Sequence, residues 1–522
     1  MTERFPRYWL AIAGALLGAF MAILDIQITN SSLKDIQAAL GATLEESSWI
    51  ATSYLVAEMI AIPLTGFFAA WLSPRRYLVW NSAAFVAASL ACSLAWNLES
   101  MIVFRALQGF TGGALIPMAF NLIVTLLPLD KRPVGMALFG VTATFAPSIG
   151  PTLGGWLTET FSWHYLFYLN VIPGAAVITL LTMGLEKRKV DDTQLARIDV
   201  LGMVTMALGL GCLQLVLEEG AKDDWFEAEY IRWLALVSSL SLVLFVRHQL
   251  RVPFPLVNLR LFANKDFSLA CVAYLMLGFG LFGSVYLVPL YLASLHDYTA
   301  LDIGLVLMWV GFPQLPFFPL IPRILKFVQA RFLVAIGFVV MGMSLFMNMH
   351  MSMDYDGSYL IPALLLRALG QPFIMVPLSL MSAAALPPQD VASASTLFNV
   401  MRNLGGAIGI AGLATLLQKR TDLHGAEIRE TLVANSQSTL DYLALLGQQM
   451  GLPAQAPQVL SQVATEVQQQ ASVMSYNEAF AVLGVSMLVA AVASVMVKPS
   501  KPLKAKSTDT TPDHSAADKA ST

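Results

Sequence analysis

Three ionisable residues stand inside otherwise apolar stretches: Asp25 in Leu24-Asp25-Ile26, Glu58 in Leu55-Val56-Ala57-Glu58-Met59-Ile60-Ala61, and Arg105 beside Phe104. A charge in hydrocarbon is expensive, so such a residue is either paired with an opposite charge or used. Two carboxylates competing near one arginine hold their protons at separated pH values, as a group that loads and releases a proton must. We expect Asp25 to be the main proton carrier, Arg105 its electrostatic modulator, and Glu58 a second carrier or substrate contact. The competing structural reading at each position is a permanent ion pair that holds helices together.

The elements that must position them are membrane helices. Of 522 residues, 57% are hydrophobic and only 12% charged, and the mean hydropathy is +0.66; a soluble chain of this size carries more charge. A spanning helix needs about 20 mostly apolar residues. Fourteen segments qualify, near 9–30, 49–71, 77–96, 100–127, 134–157, 164–184, 199–218, 229–247, 266–291, 302–322, 332–350, 358–384, 395–417 and 476–497. The first follows Arg4 and Arg7 as a signal peptide would, but it is long, contains Asp25 and shows no small-residue cleavage site, so we read it as a retained helix. At 1.5 Å per residue, Asp25 lies roughly 24 Å from the start of its helix, while Glu58 and Arg105 enter from the opposite side and lie roughly 14 Å and 8 Å deep. All three can therefore share one layer. Most of the 31 lysines and arginines fall at the amino terminus, at 75–76, 131–132, 187–197, 247–265 and 323–331, and in the tail, which places both termini in the cytoplasm. Cys92, Cys212 and Cys271 each sit alone in an apolar segment and give neither a disulfide framework nor a metal site.

The chain also repeats. Phe104-Arg105-Ala106-Leu107-Gln108-Gly109 recurs as Leu366-Arg367-Ala368-Leu369-Gly370-Gln371, each copy followed by a proline, Pro117 or Pro377, and then by a Leu-Pro pair at 127–128 or 386–387. The next segment of each half is rich in glycine, at 150, 154 and 155 and at 405, 406, 409 and 412. Segments four and five thus match twelve and thirteen, which leaves seven and eight as an insertion between two six-helix halves. The organisation expected is an amino-terminal bundle over 1–184, a linker with two extra helices over 185–265, a second bundle over 266–497 that includes an external loop at 419–475, and a disordered cytoplasmic tail over 498–522. Parallel six-helix halves around a midplane cavity are the machinery of alternating access.

Several motifs carry a family resemblance. Ala146-Pro147-Ser148-Ile149-Gly150-Pro151-Thr152-Leu153-Gly154-Gly155 resembles the antiporter motif on the fifth helix of drug:proton exchangers of the major facilitator superfamily. Leu24-Asp25-Ile26-Gln27-Ile28-Thr29-Asn30 is similar to the helix-one motif of their fourteen-span members, Arg105 to Gly109 to their R-x-x-Q-G, and Trp163 through Asn170, Pro173 and Gly174 to their W-R-W-x-F-x-x-N-x-P-x-G. The EmrB-like subfamily shares Pro63 to Gly66 after helix two, Asp224-Trp225-Phe226 after helix seven and a long external loop before the last helix. There are departures: Gln27 and Lys34 replace a threonine and a proline, and Ala70 lacks the aspartate that in the family helps latch the cytoplasmic gate.

The resemblance implies an all-α polytopic membrane protein with the major facilitator fold, two six-helix bundles plus two inserted central helices. It implies a proton-driven exporter of lipophilic compounds in the bacterial inner membrane, with protons as coupling ion and no other cofactor. It further implies a periplasmic adaptor, an EmrA-like membrane fusion protein, contacted through 419–475 and leading to a TolC-like outer-membrane channel. Pro147, Gly150, Pro151, Gly154 and Gly155 are the expected conformational motif. Arg367 and Arg402 lie within helices of the second half that hold no deep carboxylate, which favours an anionic or polarised lipophile if either faces the cavity. Asn30, Gln108, Gln314, Gln371, Asn399 and Asn403 are further expected polar cavity contacts, among methionines and aromatics that accommodate varied apolar ligands. An uptake symporter for an organic anion on the same fold is the alternative. The scattered histidines, the absence of H-E-x-x-H and C-x-x-C, and the lack of a phosphate-cradling glycine loop argue against an enzyme and against nucleotide or nucleic-acid binding.

Overall fold

The computed structural model describes residues 7–187, 199–384, 391–432 and 437–497, and every regular element among them is helical. The expected tail at 498–522 lies outside the described residues. The membrane-length helices are α1 (Arg7–Ser31), α2 (Leu44–Leu72), α3 (Pro74–Ser93), α4 (Leu98–Leu126), α5 (Arg132–Thr160), α6 (His164–Gly184), α7 (Val200–Glu219), α8 (Glu229–Gln249), α9 (Lys265–Leu295), α10 (Ala300–Gln314), α11 (Ala330–Phe346), α12 (Gly357–Ala384), α13 (Val391–Thr431) and α14 (Pro457–Met496). Each of the fourteen expected segments overlaps one of them, although those at 302–322 and 332–350 run past the ends of α10 and α11. Eleven are long and apolar enough to cross a bilayer outright; α3 is more polar, and α10 and α11 are shorter, with α10 followed by turns and a short helix, Ile321–Ile324. Calling the side where α1 begins the near face, successive helices alternate between near and far.

Local chemistry sets where several helices begin. Thr43 and Glu46 form a capping box at the far-face start of α2, Asn97 and Ser100 one at α4, and Thr299 and Asp302 one at α10. Each box pairs backbone donors that the helix leaves unmet. Prolines inside α2, α5, α9, α10 and α12 are tolerated because neighbouring helices and hydroxyl side chains meet the freed backbone groups.

The packing repeats. In the first half α1 lies against α4, α5 and α6, α2 and α3 both pack on α4, and α3 meets α6; in the second half α9 lies against α13 and α14 and more lightly against α12, α10 and α11 both pack on α12, and α11 meets α14. The same positions meet in each half, so the recurrence around Arg105 and Arg367 is a repeat of architecture. The halves join where α5 crosses α10 and where α2 crosses α13, which is one crossing used twice with the roles exchanged. Helices α7 and α8 pack on each other, and α7 lies against both α2 and α13, beside that second crossing. The outer face of α8 is apolar, with Trp233, Leu236, Leu240 and Val243 exposed, as a lipid-facing surface requires.

The segment expected as an external loop at 419–475 is largely helix. α13 has 41 residues and α14 has 40, with a third helix, Gln437–Met450, between them. At 1.5 Å per residue each is roughly 60 Å long, about twice the hydrocarbon thickness, so both continue past the far face. Arg420 and His424 on α13 reach Glu478 on α14 at 2.9 and 3.0 Å and tie the pair where it leaves the membrane.

Candidate functional site

Asp25 sits fully buried on α1, and side chains from the same half converge on it. Arg105 Nη1 donates to Asp25 Oδ2 at 2.6 Å, while Gln108 Nε2 and Asn170 Nδ2 donate to Oδ1 at 2.8 and 2.6 Å. Ser89 accepts from both amides, at 3.2 and 2.9 Å, and donates to the Phe167 carbonyl at 3.0 Å. Arg105 also donates to Gln108 Oε1 at 2.7 Å and to the Ile50 carbonyl at 3.4 Å, and its guanidinium lies 4.4 Å from the centre of the Tyr54 ring. Five helices, α1, α2, α3, α4 and α6, are thus tied to one carboxylate. A buried charge is stable only when it is paired and its lone pairs are met, and here both conditions hold. Protonation of Asp25 would remove the counter-charge of Arg105 and free a guanidinium that, among the described residues, has no other carboxylate bonded to it.

Close backbone approach makes this possible. A Cβ at Gly109 would run into the Tyr54 backbone, and one at Gly113 would lie 2.9 Å from the Glu58 carbonyl, so α4 touches α2 and carries Arg105 and Gln108 inward beneath Tyr54. On α5, Gly150 meets Gln27 and Gly154 meets Ile28 of α1, so the glycine run is the surface on which the helix bearing Asp25 rests. Gly155 faces the other half instead, with Ala300 of α10 beside it. Pro151 is buried and Pro147 half-buried within the same run.

Glu58 is buried too, but it belongs to a different constellation. It lies beside Asn403 and within electrostatic reach of Arg402, both on α13, as well as of Arg105. Among the described residues it forms no salt bridge within 4 Å of either arginine. Glu58 therefore looks across the junction of the two halves. Arg402 is buried with its Nε unpartnered. Gln314 and Gln371, on the adjoining α10 and α12, are buried with Gln314 Oε1 and Nε2 and Gln371 Oε1 unpartnered. Asn399 donates to Ser395 O of its own helix at 2.9 Å, and Asn30 is exposed at the far end of α1. Arg367 faces the interior of the second bundle, where its Nη2 is 3.5 Å from the Leu281 carbonyl.

Asn170, Ser89 and Tyr54 complete the Asp25 network and were not singled out from the sequence as site residues. Asn170 had a signal, since it is the asparagine of the motif beginning at Trp163. The other two had none beyond being polar in a membrane helix.

Comparison with known proteins agrees with this architecture. The family model described as Major Facilitator Superfamily matches residues 15–410. The colistin resistance protein EmrB of Acinetobacter baumannii is 34% identical over 503 residues, covering 95% of this chain and 98% of that protein. The multidrug export protein EmrB of Escherichia coli K12 is 31% identical, with 89% and 90% covered, and the fatty acid resistance protein FarB of Neisseria gonorrhoeae is 31% identical, with 89% and 91% covered. Among solved structures, the human organic anion transporter MFSD10 superposes with a TM-score of 0.61 at 12% identity, covering 94% of this chain and all of that one. The proton:xylose symporter XylE gives 0.61 at 13% identity, covering 95% and 96%. With Asp25, Arg105 and the glycine run of α5 held in one bundle of a repeated six-helix architecture, this multi-pass membrane chain belongs to the major facilitator superfamily and, within it, to the EmrB-like transporters.

Proposed function

We propose that this protein exports lipophilic compounds in exchange for protons, in the inner membrane of a two-membrane bacterium, with both termini in the cytoplasm. The observation that carries the reading is the sealed Asp25 carboxylate, bonded by Arg105, Gln108 and Asn170. A proton arriving at Asp25 neutralises the charge that draws α4 and α6 onto α1. Because α1 rests on α5, and α5 crosses α10 of the other half, loosening this network acts on the junction between halves. Glu58, Arg402 and Asn403 at the second junction are the proposed substrate contacts, with Gln314, Gln371, Asn399 and Asn30 as further polar contacts along the path. A cation and an anion on opposite sides of one junction suit a polarised or weakly acidic lipophile, and relatives are named for exporting or resisting multiple drugs, colistin and fatty acids.

The driving force is adequate. Moving a two-state equilibrium from 1:99 to 99:1 takes about 5.5 kcal/mol, and each charge crossing 100 mV supplies about 2.3 kcal/mol, so one proton with a pH gradient approaches the requirement and two exceed it. The paired extensions of α13 and α14, with Gln437–Met450 between them, are the proposed contact for a periplasmic adaptor of the EmrA type leading to a TolC-like channel.

Acidified inverted vesicles test the transport reading. Anionic and neutral lipophiles added outside should alkalinise the lumen with the intact protein, and Asp25→Asn should abolish the response. Substrate entry accompanied by protons, in the manner of a symporter, or normal exchange by the variant, would overturn it.

A further inference from the structure

Arg367 stands in the second half where Arg105 stands in the first, on the fourth helix and within the repeated Arg-Ala-Leu run. Arg105 meets Asp25 on the first helix of its half. The first helix of the second half, α9, has Asp266 in its opening turn and no acid beyond it, and α11 and α12 have none. Glu478 of α14 is bonded to Arg420 and His424. Arg367 is nonetheless only 4% exposed, and among the described residues its Nε has no partner and its one hydrogen bond is from Nη2 to the Leu281 carbonyl.

Beside it lies a small cavity of about 10 Å³, lined by Ser284 of α9, Ser344 and Asn348 at the end of α11, Leu364 of α12 and Phe480 of α14. These are the same helix positions, first, third, fourth and sixth of the half, that supply Asp25, Ser89, Arg105 and Asn170 to the network of the first half. Asn348 is 3% exposed, and its Oδ1 also has no partner. A guanidinium keeps its proton at any physiological pH, and a buried charge without a counter-charge is strongly disfavoured. A water in the cavity would meet the hydrogen bonds and leave the charge. An anion meets both, since the Asn348 amide, turned over, offers its N–H₂ to the same point.

We infer that the cavity beside Arg367 binds a small inorganic anion, chloride in size, which does for Arg367 what Asp25 does for Arg105. The space admits about one water-sized species, which suits a single-atom anion better than the head and tail of an organic acid. The inference is independent of the direction of transport and of the substrate.

The test is thermal unfolding of the purified full-length protein in potassium chloride, potassium bromide and potassium gluconate at equal ionic strength. Chloride and bromide should raise the midpoint saturably over gluconate, by about 3 °C or more. Ser284→Asp puts a carboxylate into the cavity and should remove the halide dependence while keeping the midpoint in gluconate at or above that of the intact protein. Arg367→Gln, where it folds, should likewise be insensitive to halide. Equal midpoints for the intact protein in chloride and gluconate, or a halide effect that survives in Ser284→Asp, overturns the proposal. So does loss of the halide effect on adding a lipophilic carboxylate, because the anion at Arg367 would then be the substrate's own.

Discussion

At the scale of single residues, the Asp25–Arg105 pair separates stability from coupling. Removing Arg105 alone leaves a buried carboxylate without its counter-charge, which costs about 3–5 kcal/mol, whereas replacing both members of a buried pair by apolar side chains of similar size is often neutral. Arg105→Met should therefore lower the unfolding midpoint sharply, and Asp25→Leu combined with Arg105→Met should recover most of the loss while remaining inactive in proton exchange. A double variant as unstable as the single one would show that the amides of Gln108 and Asn170, rather than the ion pair, hold these helices. Asp25 and Arg105 were legible in the sequence because a charge in an apolar run is conspicuous. Ser89 was not, because a serine in a membrane helix usually bonds its own backbone and carries no cost that marks it. Depth reckoning places Glu58 level with Asp25, but 1.5 Å per residue gives a helix position its height and not its azimuth. The structure turns Glu58 toward Arg402 and Asn403 of the other half, neighbours 344 and 345 positions along the chain that no local pattern announces.

At the scale of elements, the inserted pair α7 and α8 is fastened at both faces. At the near face Asp199 caps α7 and binds His248 and Gln249 of α8 at 2.7 and 2.5 Å. Burial opposes ionisation of Asp199, but the Gly202 N–H, His248 and Gln249 outweigh it and hold the carboxyl below its ordinary 3.8. A carboxyl lowered on folding contributes its stability above the unfolded value and loses it only as pH falls through the folded one, so this clip is complete at neutral pH. At the far face Thr52 of α2 donates to Glu219 at 3.0 Å, and Trp225 Nε1 donates to Thr415 of α13 at 2.9 Å. Asp224 and Trp225 both have positive φ, 49° and 57°, a strain held for a reason: it delivers the indole to α13. The inserted pair thus bridges the two halves beside the α2–α13 crossing. Trp225→Phe keeps the ring and removes the bond, worth about 1 kcal/mol. It should raise far-side labelling of a cysteine at Ala411, one turn below Thr415, about fivefold over the same cysteine with Trp225 intact; unchanged labelling would mean the bridge does not restrain the far side. The existence of α7 and α8 was plain from hydropathy and from the repeat they interrupt. Their fastening to α2 and α13 depends on loop geometry, and so did the helical course of 419–475, where polar sequence gives no membrane signal to follow.

At the scale of the whole molecule, the halves stay in register along α5 and α10 from face to face. Gly140 meets Phe318 toward the near face, Ser148 meets Gly311 midway, and Thr152 meets Gly304 toward the far face. Alternating access requires one end of such a junction to part while the other stays closed, so a bolt at the far end should arrest the cycle without disturbing the Asp25 network. The geometry supplies one: a Cβ at Gly155 would lie 3.6 Å from the Ala300 Cβ, within the 3.5–4.5 Å that a disulfide needs. Gly155→Cys with Ala300→Cys should cross-link on oxidation and lose substrate-driven proton exchange, and reduction should restore the exchange to the level of the single Gly155→Cys variant. Exchange that continues in the cross-linked protein would mean that the far ends of α5 and α10 move as one body and that the opening lies at the α2–α13 crossing, where Glu58 faces Arg402. Because the two crossings are the same contact with the halves exchanged, an arrest at one and not the other would also show that the inserted pair, present only beside α2 and α13, has broken the symmetry of the repeat in function as well as in form.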